Sequence, residues 1–220
     1  MTNEIQTLQE RLAVQLARQQ EAALTLRNTG AYISFKNAIL KVDGQAVPNN
    51  VADVRVLSAI SERSYYAEEF DSDVVQIPDC YALDSSEPHL DAKNPKSDSC
   101  GDCPMNKWGT ARRGKGKACR EGARIIVVPA NVPLKSAPMY TAKIPVTSLG
   151  AVTAFTSRCS QAGKLSGEFV TTLGVVEDKK SFFKVQLTLK ELTSEMDMQA
   201  LMAKQDQAYE LAMQPYPTLD

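Results

Sequence analysis

Histidine is almost missing from this sequence: His89 stands alone in 220 residues. That rules out an acid–base or metal site built on a histidine pair. No Ser-His-Asp constellation can be assembled around a single imidazole with any support from spacing. Paired-carboxylate motifs in an apolar setting are missing as well. The nearest match, Asp71-Ser-Asp73, sits in a polar stretch and reads as solvated. Long apolar runs are also lacking. Ile125-Ile126-Val127-Val128 is typical of the longest, far short of the ~20 residues of a helical membrane span. The start, Met1-Thr-Asn-Glu-Ile-Gln, has no basic segment followed by an apolar one, so no secretory signal is expected. The expected compartment is a reducing cytoplasm, where clustered cysteines read as metal ligands and not as disulfides.

Apolar residues make up 43% of the chain and charged residues 23%, the composition of an ordinary globular protein. Net charge is −1, but the charges are segregated. Eleven acids and three bases lie from Glu62 to Asp102. Seven bases and one acid lie from Lys107 to Arg124. An acidic block beside a basic one is a local electrostatic feature that the total conceals.

Local patterns predict a β-rich α+β fold. Ile5, Leu8, Leu12, Leu16, Ala23 and Leu26 follow helical spacing, predicting a helix over 3–28 that Asn28-Thr-Gly30 stops. Strand signals begin at Ala31. Asp43-Gly44 between apolar runs predicts a hairpin. Val51–Ile60 reads as a longer strand, followed by 124–128 and 139–144. A helix is expected from about Pro145 to Gln161, with Cys159 a buried structural thiol. A hairpin is expected over 169–189, turning around Glu177-Asp178-Lys179, with Phe183, Val185, Leu187 and Leu189 on one face. A last helix, capped by Ser194-Glu195, is expected from about Thr193 to Gln214. The domain reading is an N-terminal helix (1–29), a core like an oligonucleotide-binding (OB) small β-barrel (30–192) with an insertion at about 71–123, and a C-terminal helix and tail (193–220).

That insertion carries the chemistry. It is proline-rich and irregular, and longer than a structureless loop in a compact domain tends to be. It also holds four of the five cysteines: Cys80, Cys100, Cys103 and Cys119. Cys100-Gly-Asp-Cys103 is a pair that grips one ion through a tight turn. Nineteen residues separate Cys80 from Cys100 and fifteen separate Cys103 from Cys119, spacings of the order seen in structural zinc modules. Zinc is the expected occupant and would order a segment too polar to fold alone. An iron–sulfur cluster and a set of bare thiols stand as alternatives, and His89 is a spare ligand. Four protein ligands close the shell, so this metal would be structural.

Between Cys103 and Cys119 lies a basic loop with the only tryptophan. Lys107, Arg112, Arg113, Lys115 and Lys117, with Arg120 just beyond, would neutralise phosphates, and Trp108 would stack on a base. The bland alternative is a solvated loop whose Trp covers the metal. Gly114-Lys-Gly-Lys117 lacks the phosphate-loop pattern of nucleotide hydrolases. Tyr65, Tyr66 and Phe70 form a second aromatic group. Tyr65 and Tyr66 are expected to stack on bases like the exposed aromatics of single-strand binders. Neighbouring strand residues point to opposite faces, so core packing of one of the two is the equal alternative.

Ile77-Pro-Asp-Cys80, Pro88-His89, Cys100-Gly-Asp-Cys103-Pro-Met-Asn-Lys-Trp-Gly-Thr and Gly114-Lys-Gly-Lys-Ala-Cys119 resemble a group of bacteriophage and prophage zinc-binding, single-stranded DNA-binding-like proteins. The resemblance spans roughly 31–190. It implies Cys80, Cys100, Cys103 and Cys119 as ligands, single-stranded DNA as partner, a role in phage DNA replication or recombination alongside other proteins of those processes, and the host cell cytoplasm. The ending, Pro-Tyr-Pro-Thr-Leu-Asp220, lacks the acidic, Phe-terminated tip of many single-strand binders. The competing expectations are a metal-dependent nuclease, or other enzyme of DNA metabolism, with structural zinc, and a zinc-stabilised protein-interaction adaptor. No catalytic residue is expected on the main reading. Oligomerisation stays open.

Overall fold

The computed structural model describes residues 31–68, 76–193 and 197–216. The expected helix over 3–28, the expected cap Ser194-Glu195, and Phe70, Asp71 and Asp73 lie outside them. The chain divides into two units, Met1–Ala31 and Tyr32–Asp220. The second carries a β-rich α+β fold.

Nine strands form one sheet among the described residues: β1 (Ala31–Ser34), β2 (Lys41–Val42), β3 (Gln45–Ala46), β4 (Val51–Tyr65), β5 (Cys80–Ala82), β6 (Arg120–Pro129), β7 (Tyr140–Pro145), β8 (Phe169–Asp178) and β9 (Phe182–Leu192). Their order is β3-β2-β1-β7-β6-β4-β8-β9, with β5 paired to β4 off that path. The expected hairpin at Asp43-Gly44 joins β2 to β3. Both residues have positive φ, 49° and 81°, the backbone of the tight turn that matches strand twist.

Helix α1 (Leu149–Gln161) lies on one face. It buries Val152, Phe155 and Cys159, one side of its cylinder, so the expected fate of Cys159 is met. The core beneath it contains Val54, Val56, Ile125, Val127, Leu173, Val185 and Leu187, with Phe183 and Leu189 packed at its margin. The alternation expected of β9 therefore holds. Helix α2 (Met198–Ala212) lies on the other face and buries Leu201, Ala208 and Ala212 against Leu57, Ile126 and Val128. Strand β6 is thus apolar on both faces, which explains its unbroken Ile-Ile-Val-Val.

Several boundaries differ from expectation: β6 starts at Arg120 and not at 124, α1 starts at Leu149 and not near Pro145, and β5 lies inside the segment expected to be irregular. The last helix begins at Met198, not near Thr193, and Asp197 caps it by accepting from the Ala200 N–H at 3.0 Å. The Thr193 N–H instead donates to the Glu168 carbonyl. The β8–β9 ladder runs on to Asp178 opposite Phe182, so the turn falls at 179–181. There the Asp178 carboxylate accepts from the Lys180 and Ser181 N–H groups, the local bonding that makes aspartate a turn residue.

A bulge in β4 positions everything that follows. Val56 pairs with Val127, but Ser58 pairs with Ile126, leaving Leu57 as the extra residue. Side chains alternate along a strand, so one inserted residue exchanges the two faces beyond it. Glu62 and Ser64 consequently share the face of Arg124 and α2. Arg63 and Tyr65 take the opposite face.

Candidate metal centre and nucleic-acid interface

Strand β4 ends between β5 and β6, and this end is where the cysteines meet. Tyr65 pairs with Cys80. Ser64 pairs with Arg120, so continuing that register by one residue sets Cys119 opposite Tyr65 from the other side. Paired residues share a face, and Cys80 and Cys119 therefore flank Tyr65 on the face of Arg63. Cys100 and Cys103 arrive from the irregular segment. The Cys100 N–H donates to the Ser86 carbonyl at 2.8 Å, and a short helical turn, Pro104–Asn106, follows Cys103.

All four thiols line one cavity of about 10 Å³, together with Arg63, Tyr65, Lys96 and Met105. That is room for about one water-sized body. All four are buried and unpaired as disulfides. Burial raises the Cys119 thiol to about 11; Arg63 opposes this, and the other three thiols add to it. Cys100 and Cys80 are raised for the same first reason, with Arg63 opposing at Cys100 and the Lys96 backbone amide opposing at Cys80. Among the described residues, no three His, Cys, Asp or Glu side chains converge at ligating geometry. The four cysteines share the wall of that one cavity.

His89 lies elsewhere. Its ring stacks on Tyr81, with centroids 5.1 Å apart. Its Nδ1 accepts the Asp91 N–H at 3.1 Å and lies 3.2 Å from the Tyr81 hydroxyl. It is not part of the cysteine cavity wall.

The loop between Cys103 and Cys119 is tightly hydrogen-bonded. The Cys119 N–H donates to the Met105 carbonyl at 2.8 Å, and the Gly109 and Ala111 N–H groups both donate to the Gly116 carbonyl at 3.0 Å. Thr110 Oγ1 donates to the Lys107 carbonyl and accepts the Ala118 N–H. Asn106 bridges the Cys100 carbonyl at 2.8 Å and the Lys117 ammonium at 3.0 Å. Positive φ at Gly109 and Gly114 allows the two reversals. The result is a shaped loop with Lys107, Arg112, Arg113 and Lys115 exposed. Trp108 is 78% exposed, with the Lys117 ammonium 5.7 Å from its ring. It does not line the cysteine cavity. Arg120 is exposed at the start of β6.

The two tyrosines part company. Tyr65 is half-buried in the cysteine cavity, with the Lys96 ammonium 5.5 Å from its ring. Tyr66 is half-buried as well, with the Lys143 ammonium 6.0 Å from its ring. Arg124, counted with the basic block in the sequence, is buried on the α2 face and bonded to Glu62. Sequence reasoning also missed Arg63 and Lys96 around the thiols. Their only signal was position: a base inside β4, and the last base before Cys100.

No helix among the described residues is long and apolar enough to cross a membrane. No family model, curated protein or solved structure matches this chain.

Proposed function

We propose that this protein binds single-stranded DNA in phage replication or recombination, through the loop from Lys107 to Arg120, with a structural zinc held by Cys80, Cys100, Cys103 and Cys119. The exposure of Trp108 carries this reading. An indole that merely covered a metal would be buried against the thiols. Here it stands out from an ordered loop among cations, the arrangement that stacks a base while phosphates are neutralised. The glycines beside it allow close approach of a sugar–phosphate backbone. The curved, predominantly antiparallel sheet is read as OB-like, with the loop at one end of its long central strand.

The donor set suits zinc: four thiols, one small cavity and a surrounding of two cations. A bound zinc would draw the four sulfurs in to the ~2.3 Å of a zinc–thiolate bond. The zinc would hold both ends of the basic loop and supply no open coordination position for chemistry.

The test is titration of the full chain with oligo-dT, following Trp108 fluorescence. Binding with quenching at ~50 mM salt, weakening steeply as salt rises, supports the reading. Absence of binding at that salt overturns it. Magnesium-dependent cleavage of the oligonucleotide would instead identify a nuclease.

A further inference from the structure

Arg63 presents an unusual combination. It lines the cysteine cavity, and its Nη2 donates to Glu121 at 3.1 Å. Its Nε and Nη1 are buried and have no acceptor among the described residues. Buried guanidinium N–H groups are rarely left so, because losing water without gaining an acceptor is costly. The bulge at Leu57 puts this side chain on the cysteine face, between the strands that bring Cys80 and Cys119. Lys96 adds a second cation to the same wall. Two cations and two idle donors around neutral thiols make poor chemical sense. Around four thiolates they make good sense. Four thiolates on one divalent ion leave two net negative charges, and metal-bound sulfur accepts N–H hydrogen bonds.

We infer that Arg63 is the outer-shell donor to an all-thiolate metal centre: its Nε–H and Nη1–H bond to the cysteine sulfurs once a divalent thiophilic ion has displaced their four protons to solvent. This rests on the metal reading above and deepens it. It assigns the ligand set as four sulfurs, since His89 is held by Tyr81 and Asp91 outside the cavity wall. It also assigns Arg63 as the positioning residue. Such outer-shell partners orient ligands and tune their basicity, and losing one costs about 10–100-fold in metal affinity.

The experiment uses the full-length chain exchanged with Co²⁺, which reports thiolate ligation by sulfur-to-cobalt charge-transfer absorption and tetrahedral geometry by its visible bands. Affinity is read by competition with a chelator. Arg63→Met is expected to weaken Co²⁺ binding about 10–100-fold. It should also move the charge-transfer band to longer wavelength, because a thiolate without its hydrogen bond gives up electron density more readily. Glu121→Gln, which removes the charge of the other partner of Arg63 while keeping an acceptor oxygen, should change neither. Should Arg63→Met fail to fold, Arg63→Lys, which keeps the charge but not the forked donors, should shift the band in the same direction. An unmoved band with affinity within about twofold of wild type overturns the inference. So does an equal loss in Glu121→Gln, which would mark a packing role. Wild-type protein with no thiolate–cobalt band would overturn the metal reading itself, a distinct result.

Discussion

Arg124 donates its Nε–H to Glu62 at 2.8 Å, and the two side chains are 7% and 1% exposed. They face each other across β4 and β6 beneath α2. The second carboxylate oxygen accepts from the Lys143 ammonium at 2.6 Å and from the Tyr216 hydroxyl at 2.5 Å. The Arg124 Nη1 donates to the Ala212 and Gln214 carbonyls. The pair therefore ties the C-terminal end of α2, where a cation is favoured by the helix dipole, to the centre of the sheet.

A buried pair adds little over a well-packed apolar replacement, but removing one member strands the other. Glu62→Ala is expected to destabilise the fold by about 3–5 kcal/mol. Tyr216→Phe, which removes one hydrogen bond to a charged group, should cost about 1.5–3 kcal/mol. Denaturant unfolding of the two variants checks both values and their order.

Acid should act through the same carboxylate. Burial alone would raise the Glu62 pKa, but Lys143 and Arg124 outweigh it and hold the group below its ordinary value. A folded pKa below the unfolded one means that Glu62 contributes stability above about pH 4.3, the unfolded value. That contribution is lost as pH falls through the folded pKa. Melting temperature should drop as pH is lowered from about 4.3, and this acid-dependent drop should be smaller in Glu62→Gln. Equal drops in both proteins would remove Glu62 from the explanation.

The basic loop makes a quantitative prediction on the DNA reading. Each phosphate contact on a single strand contributes about −0.7 to the slope of log affinity against log salt. Replacing Arg112, Arg113 and Lys115 with alanine should reduce the slope by about 2. Trp108→Ala should weaken binding by about 1–3 kcal/mol through lost stacking and leave the slope nearly unchanged. Salt titrations of oligo-dT binding separate the two effects.

Gly122 offers a test of the sheet alone. A Cβ at this position would sit 2.8 Å from the Ile144 carbonyl oxygen, a backbone atom that cannot swing aside. Gly122→Ala should cost about 1–3 kcal/mol, the range for overpacking. Gly150→Ala, with nothing within 4 Å of the added carbon, is its control and lies in helix α1. Thermal melts of the two variants give the comparison.

Local chemistry written in the sequence determined the elements. Asp43-Gly44 could make its turn from the φ preferences of two residues, β9 declared itself through alternation of period 2, and α1 through the helix entry expected at 145–149. The cysteine cluster and the basic loop were legible because their residue types have few other uses so close together. The helix cap at Asp197 and the turn at 179–181 were displaced from expectation because side-chain bonds, and not propensity, set them. Tertiary structure alone decided which face each residue joins. The extra residue at Leu57 exchanges the faces of β4, sending Glu62 to Arg124 and Arg63 to the thiols, and that shift of register is encoded only in pairing with β6. It also decided that Trp108 stands in solvent while Arg124, from the same basic run, is buried: burial depends on what packs above a residue, and that partner is distant in the chain.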